Sequence, residues 1–331
     1  MLKKYYKKQK DGYIPSFLLT LKIYNVIMLW VITVKKLIGI STFTLQSLYG
    51  DIKALEIAKE IGADAVDFSL DNYSVLNKDS IYSKPEDEII SHFKAVKQKA
   101  DELGLIISQT HGRLRIYYAD PVKDEAVFKD AKIDCMVTNI LGAPYTVMHA
   151  IATSVTGPDA ESDFMHDLCF ETFNKLLVYA KEYGVKIAME TMGDAPVYGC
   201  CDFFGYLTEF KKAYDRICSY EDNADYFFCC IDTGHVNKAM RFDNNPTPGD
   251  FIRQMGSAVK CLHLNDNNTL KDEHKPPKTG VIDWNDVLCA LNEVGYDGVY
   301  NLELNLKHFG DGFEKETAEF SVKLLNHMIN S

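Results

Sequence analysis

The sequence predicts an α/β protein: a single (β/α)8 barrel, the TIM-barrel arrangement, with a short N-terminal extension. Three observations point there. From Lys36 onward, eight short apolar runs alternate with longer amphipathic stretches. The runs are largely apolar, which suits parallel strands buried on both faces. Gly62, Gly104, Gly184 and Gly295 stand just before runs, where a helix ends and the chain turns back toward the sheet.

The first run is Leu37–Ile40, and a helical pattern follows around Ile52–Ile61. The second is Ala63–Phe68, with a helix from about Pro85 to Leu103. The third is Leu105–Gln109, with a helix across Pro121–Leu141. The fourth is Tyr145–His149, with a long helix around Ser162–Tyr183. The fifth is Val185–Met189, with a helix around Phe203–Ile217. The sixth is Tyr226–Ile231, with a helix near Pro248–Met255. The seventh is Val259–Leu264, with a helix from about Trp284 to Val294. The eighth is Gly298–Leu302, and a closing helix runs to about Ile329. Eight such units in about 295 residues is the size and count of a barrel. A doubly wound sheet has no need of eight repeats. No Gly-rich dinucleotide or phosphate loop follows any run. The long irregular pieces at 150–160, 191–202, 236–250 and 265–283 all follow strands, on the side of a barrel that carries its active site.

Composition narrows the function classes. Apolar residues make up 47% and charged residues 25%, which excludes a disordered, collagen-like or multi-span membrane chain. The 36 Lys+Arg and 47 Asp+Glu give a net charge of −11. Residues 1–34 hold six Lys and one Asp, so the remaining 297 residues carry −16. An acidic body disfavours a nucleic-acid partner and suits a small-molecule enzyme. The nine Cys include two adjacent pairs and no C-x-x-C, so a zinc ribbon or disulfide scaffold is not expected. Reduced thiols in a cytoplasmic protein are the simpler reading. The basic start and the apolar stretch Phe17–Val34 have the outline of a signal or anchor, yet Lys22 interrupts the stretch and no small-residue cleavage site is evident. The division is therefore an extension over 1–34, outside the fold and with no membrane role, and a barrel over 35–331.

The polar residues that end the runs are the main functional signal. The third run leads into His111 and the fourth ends at His149. The fifth leads into Glu190, and the sixth into Asp232-Thr233-Gly234-His235. The seventh contains His263, and the eighth leads into Glu303. Asp272 and His274 follow in the loop after the seventh. Taken singly, each has a plain explanation. His111 could be a core histidine, Asp232 and His235 a turn, Glu303 a salt-bridge partner, and Asp272 and His274 a solvated loop. A buried charge is costly without a partner. Six consecutive strands each delivering a His, Asp or Glu to one rim is a different matter. Carboxylates and neutral imidazoles together suit Mn2+, Zn2+, Co2+ or Fe2+. No Cys stands among them, so a purely structural zinc site is not expected. His92, His166 and His327 fall on helical patterns and are expected at the surface. Arg113 is a candidate grip on substrate oxygens. Trp284, Tyr117 and Phe204 are candidates for an apolar wall.

These residues resemble the xylose-isomerase-like TIM barrels, which include sugar and sugar-phosphate isomerases and epimerases and the endonuclease IV group. The resemblance runs from Lys36 to Ile329. Glu190, Ile231-Asp232-Thr233-Gly234-His235, Leu262-His263-Leu264-Asn265-Asp266 and Glu303 carry it. It implies that Glu190, Asp232, His263 and Glu303 bind one divalent ion. It also implies that His111, His149, His235, Asp272 and His274 match the extra positions of a cluster of up to three. The Ile282-Asp283-Trp284 segment fits the isomerase type, whereas Lys278-Thr279-Gly280 departs from the Gly-rich turn expected before it.

The expected activity is isomerisation or epimerisation of a sugar or sugar phosphate by proton abstraction through an enediolate. A metal would hold adjacent oxygens, and Glu190 and Glu303 would be the proton-transfer pair. His235, Arg113 and Trp284 are the expected substrate contacts. A keto-sugar lyase or deglycosidase would use the same step. The competing class is a metal-dependent phosphodiesterase on abasic DNA, opposed by the net −16 of the barrel. A homo-oligomer is open.

Overall fold

A computed structural model describes residues 35–243 and 245–330. The extension expected over 1–34 lies outside them. Eight parallel strands form the centre: β1 (Ile38–Ser41), β2 (Ala65–Ser69), β3 (Ile106–His111), β4 (Tyr145–His149), β5 (Lys186–Glu190), β6 (Phe227–Asp232), β7 (Val259–His263) and β8 (Tyr300–Leu302). They pair in the order β8-β1-β2-β3-β4-β5-β6-β7. The ring closes just beyond the last two, where Leu264 bridges Leu302. There the Leu264 N–H donates to the Asn301 carbonyl at 2.8 Å. This is a (β/α)8 barrel.

Among the described residues ten helices surround it: α1 (Phe43–Tyr49), α2 (Asp51–Glu60), α3 (Glu86–Leu103), α4 (Pro121–Leu141), α5 (Ser162–Tyr183), α6 (Leu207–Cys218), α7 (Thr233–Ala239), α8 (Pro248–Met255), α9 (Trp284–Glu293) and α10 (Glu314–Asn330). A single turn at Thr153–Thr156 and a small hairpin pairing Asp194–Ala195 with Cys200–Cys201 add to the loops. Their ends follow local chemistry. The Asp120 carboxylate accepts the N–H groups of Val122 and Lys123, and Pro121 opens α4. Asp283 caps α9 in the same way. Two helices were not expected, α1 and α7. Both are short and start directly at a strand end, where the sequence reads as a turn. None of the described helices is long and apolar enough to cross a membrane.

The main core lies between sheet and helices, with ring pairs such as Phe173–Phe227 at 5.0 Å and Phe210–Phe251 at 5.5 Å. A separate small cluster of Val147, Ala188, Cys230 and Cys261 belongs to β4–β7, and Tyr145 packs at its edge. Side chains two apart on a strand share a face. The next residues on that face are therefore His149, Glu190, Asp232 and His263. This two-residue step carries the barrel interior from apolar to ionisable. The nine Cys are all free, and six of them are buried.

Candidate metal centre

Strand register sets the site's residues side by side. His149 pairs with Glu190 across β4 and β5. Asp232 pairs with His263 across β6 and β7. Asp232 also caps α7, its Oδ1 accepting the His235 N–H at 2.6 Å, so the cap places His235 over the rim. Glu303 follows β8. Asp272 and His274 come from the loop after β7, which the antiparallel Asp266–Lys275 bridge folds back over the barrel.

All nine expected ligands meet there. Glu190 Oε2 lies 3.1 Å from His149 Nε2 and 3.4 Å from His111 Nε2. Its Oε1 lies 3.0 Å from His263 Nδ1 and 3.4 Å from His235 Nδ1. Glu303 Oε2 is 3.4 Å from His263 Nδ1. Asp272 Oδ2 is 3.4 Å from both His235 Nε2 and His274 Nε2. These atoms group into sets whose members lie within 4.8 Å of one another: His111–His149–Glu190, Glu190–Asp232–His263–Glu303 and Asp232–His235–His274.

The donor set fits divalent metal. Both Glu190 oxygens, both His111 ring nitrogens and His263 Nδ1 are buried without a hydrogen-bond partner. Leaving such atoms unsatisfied costs about 1–3 kcal/mol each. Two ligand atoms about 2.1 Å from one tetrahedral ion stand about 3.4 Å apart. That is the separation of His111 from Glu190 and of Asp272 from His235 and His274. The loop-side histidines are also oriented for it. His235 Nδ1 is 2.9 Å from the Thr191 carbonyl and His274 Nδ1 is 3.2 Å from the Glu303 carbonyl. A ring N–H donated there leaves the Nε2 lone pair toward Asp272.

Charge is concentrated to match. Burial pushes the Glu190 carboxyl up, but His263 and His149 outweigh it and hold the group well below its ordinary range. Burial disfavours charge on His111, yet Glu190 and Glu303 push it up to about 9. Burial lifts Asp232 to about 6, with His235 and His274 opposing.

A family model of xylose isomerase-like TIM barrels matches residues 55–326. The chain belongs to this family. An uncharacterised protein of Methanocaldococcus jannaschii is 28% identical over 152 residues, 44% of this chain and 47% of that protein. Another, of Sinorhizobium fredii, is 25% identical over 170 residues, 51% of this chain and 50% of that protein. The chain thus spans about half the length of the curated relatives it matches. A D-tagatose 3-epimerase-like protein has the same fold, with TM-score 0.65 and 18% identity over 89% of this chain and 98% of that one. A 3-keto-D-glucoside 4-epimerase from E. coli gives TM-score 0.64 at 12% identity, over 88% and 100%. An IolI protein with a bound zinc atom gives 0.64 at 17%, over 88% and 96%.

Within this xylose isomerase-like barrel, three expectations are corrected. Arg113 does not grip substrate. It is buried, its Nε donates to Asp134 Oδ2 at 2.7 Å, and its NH1 and NH2 donate to the Tyr73 and Leu70 carbonyls. A guanidinium so committed has no donor fork left for the cavity. Trp284 does not line it either. The indole is buried and donates to Asp266 Oδ2 at 2.8 Å, which helps hold the β7 loop. His166 is buried rather than at the surface, with Nε2 2.7 Å from Glu209 and its ring edge-on to Phe203 and Phe204. Phe204 is wholly buried in that packing.

The loop that departs from the Gly-rich pattern keeps its turn by other means. Lys278 takes a left-handed φ of 64°. Gly280 is needed, since a Cβ there would come within 2.2 Å of Asp266 Oδ1. Other residues went unnoticed in the sequence. Asp67 on β2 is buried against His263. Lys238 on α7 is buried between Asp194 at 2.7 Å and Asp272 at 3.7 Å. Asp67 sits inside an apolar run, and Lys238 in a helix that reads as a loop.

Above these residues opens a cavity of about 340 Å³. Its floor is His111, His149, His235, Asp272, His274 and Glu303. Its walls are Ser41, Thr44, Ser69, Asp71 and Asn305 with Phe43, Leu114 and Leu304. No Lys or Arg lines it among the described residues.

Proposed function

We propose that the chain is a divalent-metal-dependent isomerase or epimerase acting on a sugar-like hydroxy ketone or aldehyde. The observation that carries this is the converging set Glu190–Asp232–His263–Glu303, its unsatisfied atoms opening beneath a hydroxyl- and amide-walled cavity. An epimerase-like protein and an epimerase of the same fold support it. Those four residues would hold the ion, and a divalent ion there supplies positive charge for the oxygens of the substrate when a neighbouring carbon loses its proton.

The chain's own groups do the rest. Glu303 borders the cavity and keeps its side chain 17% exposed, so it takes the proton from carbon. Glu190, from a strand three positions around the barrel, returns a proton in an epimerisation. His235, fixed through Thr191, and His274, fixed through the Glu303 carbonyl, orient substrate oxygens. Ser41, Ser69 and Asn305 bond hydroxyls while Phe43 and Leu114 face carbon. Asp71 accepts from hydroxyls and repels a phosphate, so a free sugar is favoured over a phosphorylated one. A keto-sugar lyase remains a variant of the same proton abstraction.

One observation favours a second reading. The set Asp232–His235–His274, with Asp272 3.4 Å from both histidines, and the rim set of His111, His149 and Glu190 have the spacing for two further ions, as a phosphodiesterase on abasic DNA would use. The absence of Lys and Arg from the cavity among the described residues and the net −16 of residues 35–331 weigh against it. Metal content of the purified protein, followed by a screen over free and phosphorylated ketoses and an abasic duplex, separates the two. Absence of bound metal, with no rescue by Mn2+, Co2+ or Zn2+, overturns both.

A further inference from the structure

We infer that Asp67 is the positioning carboxylate of the metal centre: it fixes the tautomer of His263, so that this histidine ligates through Nδ1. The inference rests on the metal-binding reading above. Asp67 and His263 come from β2 and β7 and are both fully buried. Asp67 Oδ2 lies 2.8 Å from His263 Nε2. A carboxylate accepts, so the ring's Nε2 carries the proton and donates. Nδ1 is left as a lone pair, facing Glu190 Oε1 at 3.0 Å and Glu303 Oε2 at 3.4 Å with no hydrogen-bond partner. A lone pair between two carboxylates is a place for a cation.

The surrounding amides enforce this direction. Asn301 Nδ2 donates to Gln109 Oε1 at 2.9 Å, while the single Ser108 hydroxyl proton is shared between the Val66 carbonyl at 3.1 Å and Asn301 Oδ1 at 3.2 Å. Gln109 is thereby turned with its NH2 inward, 3.2 Å from both Asp67 Oδ2 and His263 Nε2; two nitrogens that both carry protons share the carboxylate oxygen, and the shorter 2.8 Å contact belongs to His263. Both donors converge on one oxygen, which locks the carboxylate in place. Gly39 on β1 makes the space, because a Cβ there would fall 1.8 Å from Asn301 Oδ1. Asp67 Oδ1 is itself buried without a partner. The fold tolerates that cost at a position where an apolar residue would pack without it, and a structural role alone does not require a charge there. A ligating histidine generally donates its other ring N–H to such an acceptor, and losing the acceptor weakens metal binding about 10- to 100-fold.

The test uses the full chain and the Asp67→Asn variant. An amide can flip and donate to Nε2, which presents the wrong tautomer. Zn2+ and Co2+ affinities are measured by competition with a chromophoric chelator, together with the visible spectrum of the Co2+ form. Thermal unfolding of the metal-free proteins runs alongside. Expected are affinities about 10- to 100-fold weaker and a shifted Co2+ spectrum, with metal-free unfolding close to the parent. Affinity within twofold and an unchanged spectrum overturn the inference while leaving the metal reading intact. If the parent binds neither ion, both fall. Should Asp67→Asn not fold, nitrogen-15 NMR of the Zn2+-loaded parent decides. A proton on His263 Nε2 is the expected result, with His263→Gln giving the assignment, and a proton on Nδ1 overturns it.

Discussion

Two layers of one barrel interior, a single two-residue step apart, have opposite chemistry. Val147, Ala188, Cys230 and Cys261 form an apolar layer, touching the one above where Cys230 Sγ lies within 4.8 Å of ligand atoms of Glu190 and His263. His149, Glu190, Asp232 and His263 follow them on the same four strands. The lower layer satisfies the packing rule that interiors are apolar and filled. The upper layer breaks it, leaving both Glu190 oxygens and His263 Nδ1 buried and unbonded. The backbone is the same in both. On the proposed reading, one layer contributes stability and the other gives it up for a ligand. The contrast has measurable consequences, because substitutions in the two layers should affect different observables.

The largest effect is expected in the upper layer. Glu303→Gln, at the rim beside that layer, keeps shape and removes the proposed base, so turnover of any accepted sugar should fall about 10²- to 10⁴-fold. Unfolding of the metal-free protein should change little or improve, since one of several clustered carboxylates is gone. A loss of stability matching the loss of turnover would show that Glu303 is structural, and the contrast between layers would fail.

Next comes a control outside both layers. Arg113→Leu strips Asp134 of its partner in a buried ion pair, which typically costs about 3–5 kcal/mol. Denaturant unfolding measures it. The relative turnover of different sugars in the surviving folded protein should not move, because Arg113 does not reach the cavity. A changed substrate preference would restore Arg113 to the site.

Ion binding sharpens the comparison further. If the upper layer is unsatisfied without metal, an ion at 100 times its dissociation constant should stabilise the fold by about 2.7 kcal/mol. Thermal unfolding with a chelator, then with added Mn2+, Co2+ or Zn2+, reads this directly. A melting temperature indifferent to all three would mean that the orphaned atoms find water instead.

The two layers were also unequally legible in the sequence. The eight largely apolar runs mark the strands because burial on both faces leaves few polar positions, and the observed strands lie within two residues of those runs. The nine rim residues stood out because ionisable groups at strand ends conflict with burial. Asp67 did not, since one carboxylate within Ala65–Ser69 cannot be told from a strand-edge residue until β2 and β7 are seen to share an interior. Gln109 and Asn301 escaped for the same reason, because an amide has no charge to mark it. Arg113 misled through adjacency. It follows His111 by two residues, but the chain has left the strand there and sends the guanidinium back to Asp134 on α4. His166 misled because a helical position says nothing about which face is buried.

The smallest effect belongs to the lower layer and decides whether the layers are independent. Cys261 is buried in register with Cys230, two residues before His263. Cys261→Ser keeps the volume nearly constant and places a hydroxyl where Val147 and Ala188 offer no acceptor. An unpaired hydroxyl there should cost about 1–3 kcal/mol of stability by denaturant unfolding. Metal affinity should stay within twofold, because the His263 ring is held by Asp67 from across the barrel rather than by the residue beneath it. If affinity falls in step with stability, the ring is positioned by packing from below. The polar layer would then be an outgrowth of the apolar one rather than a separately built site.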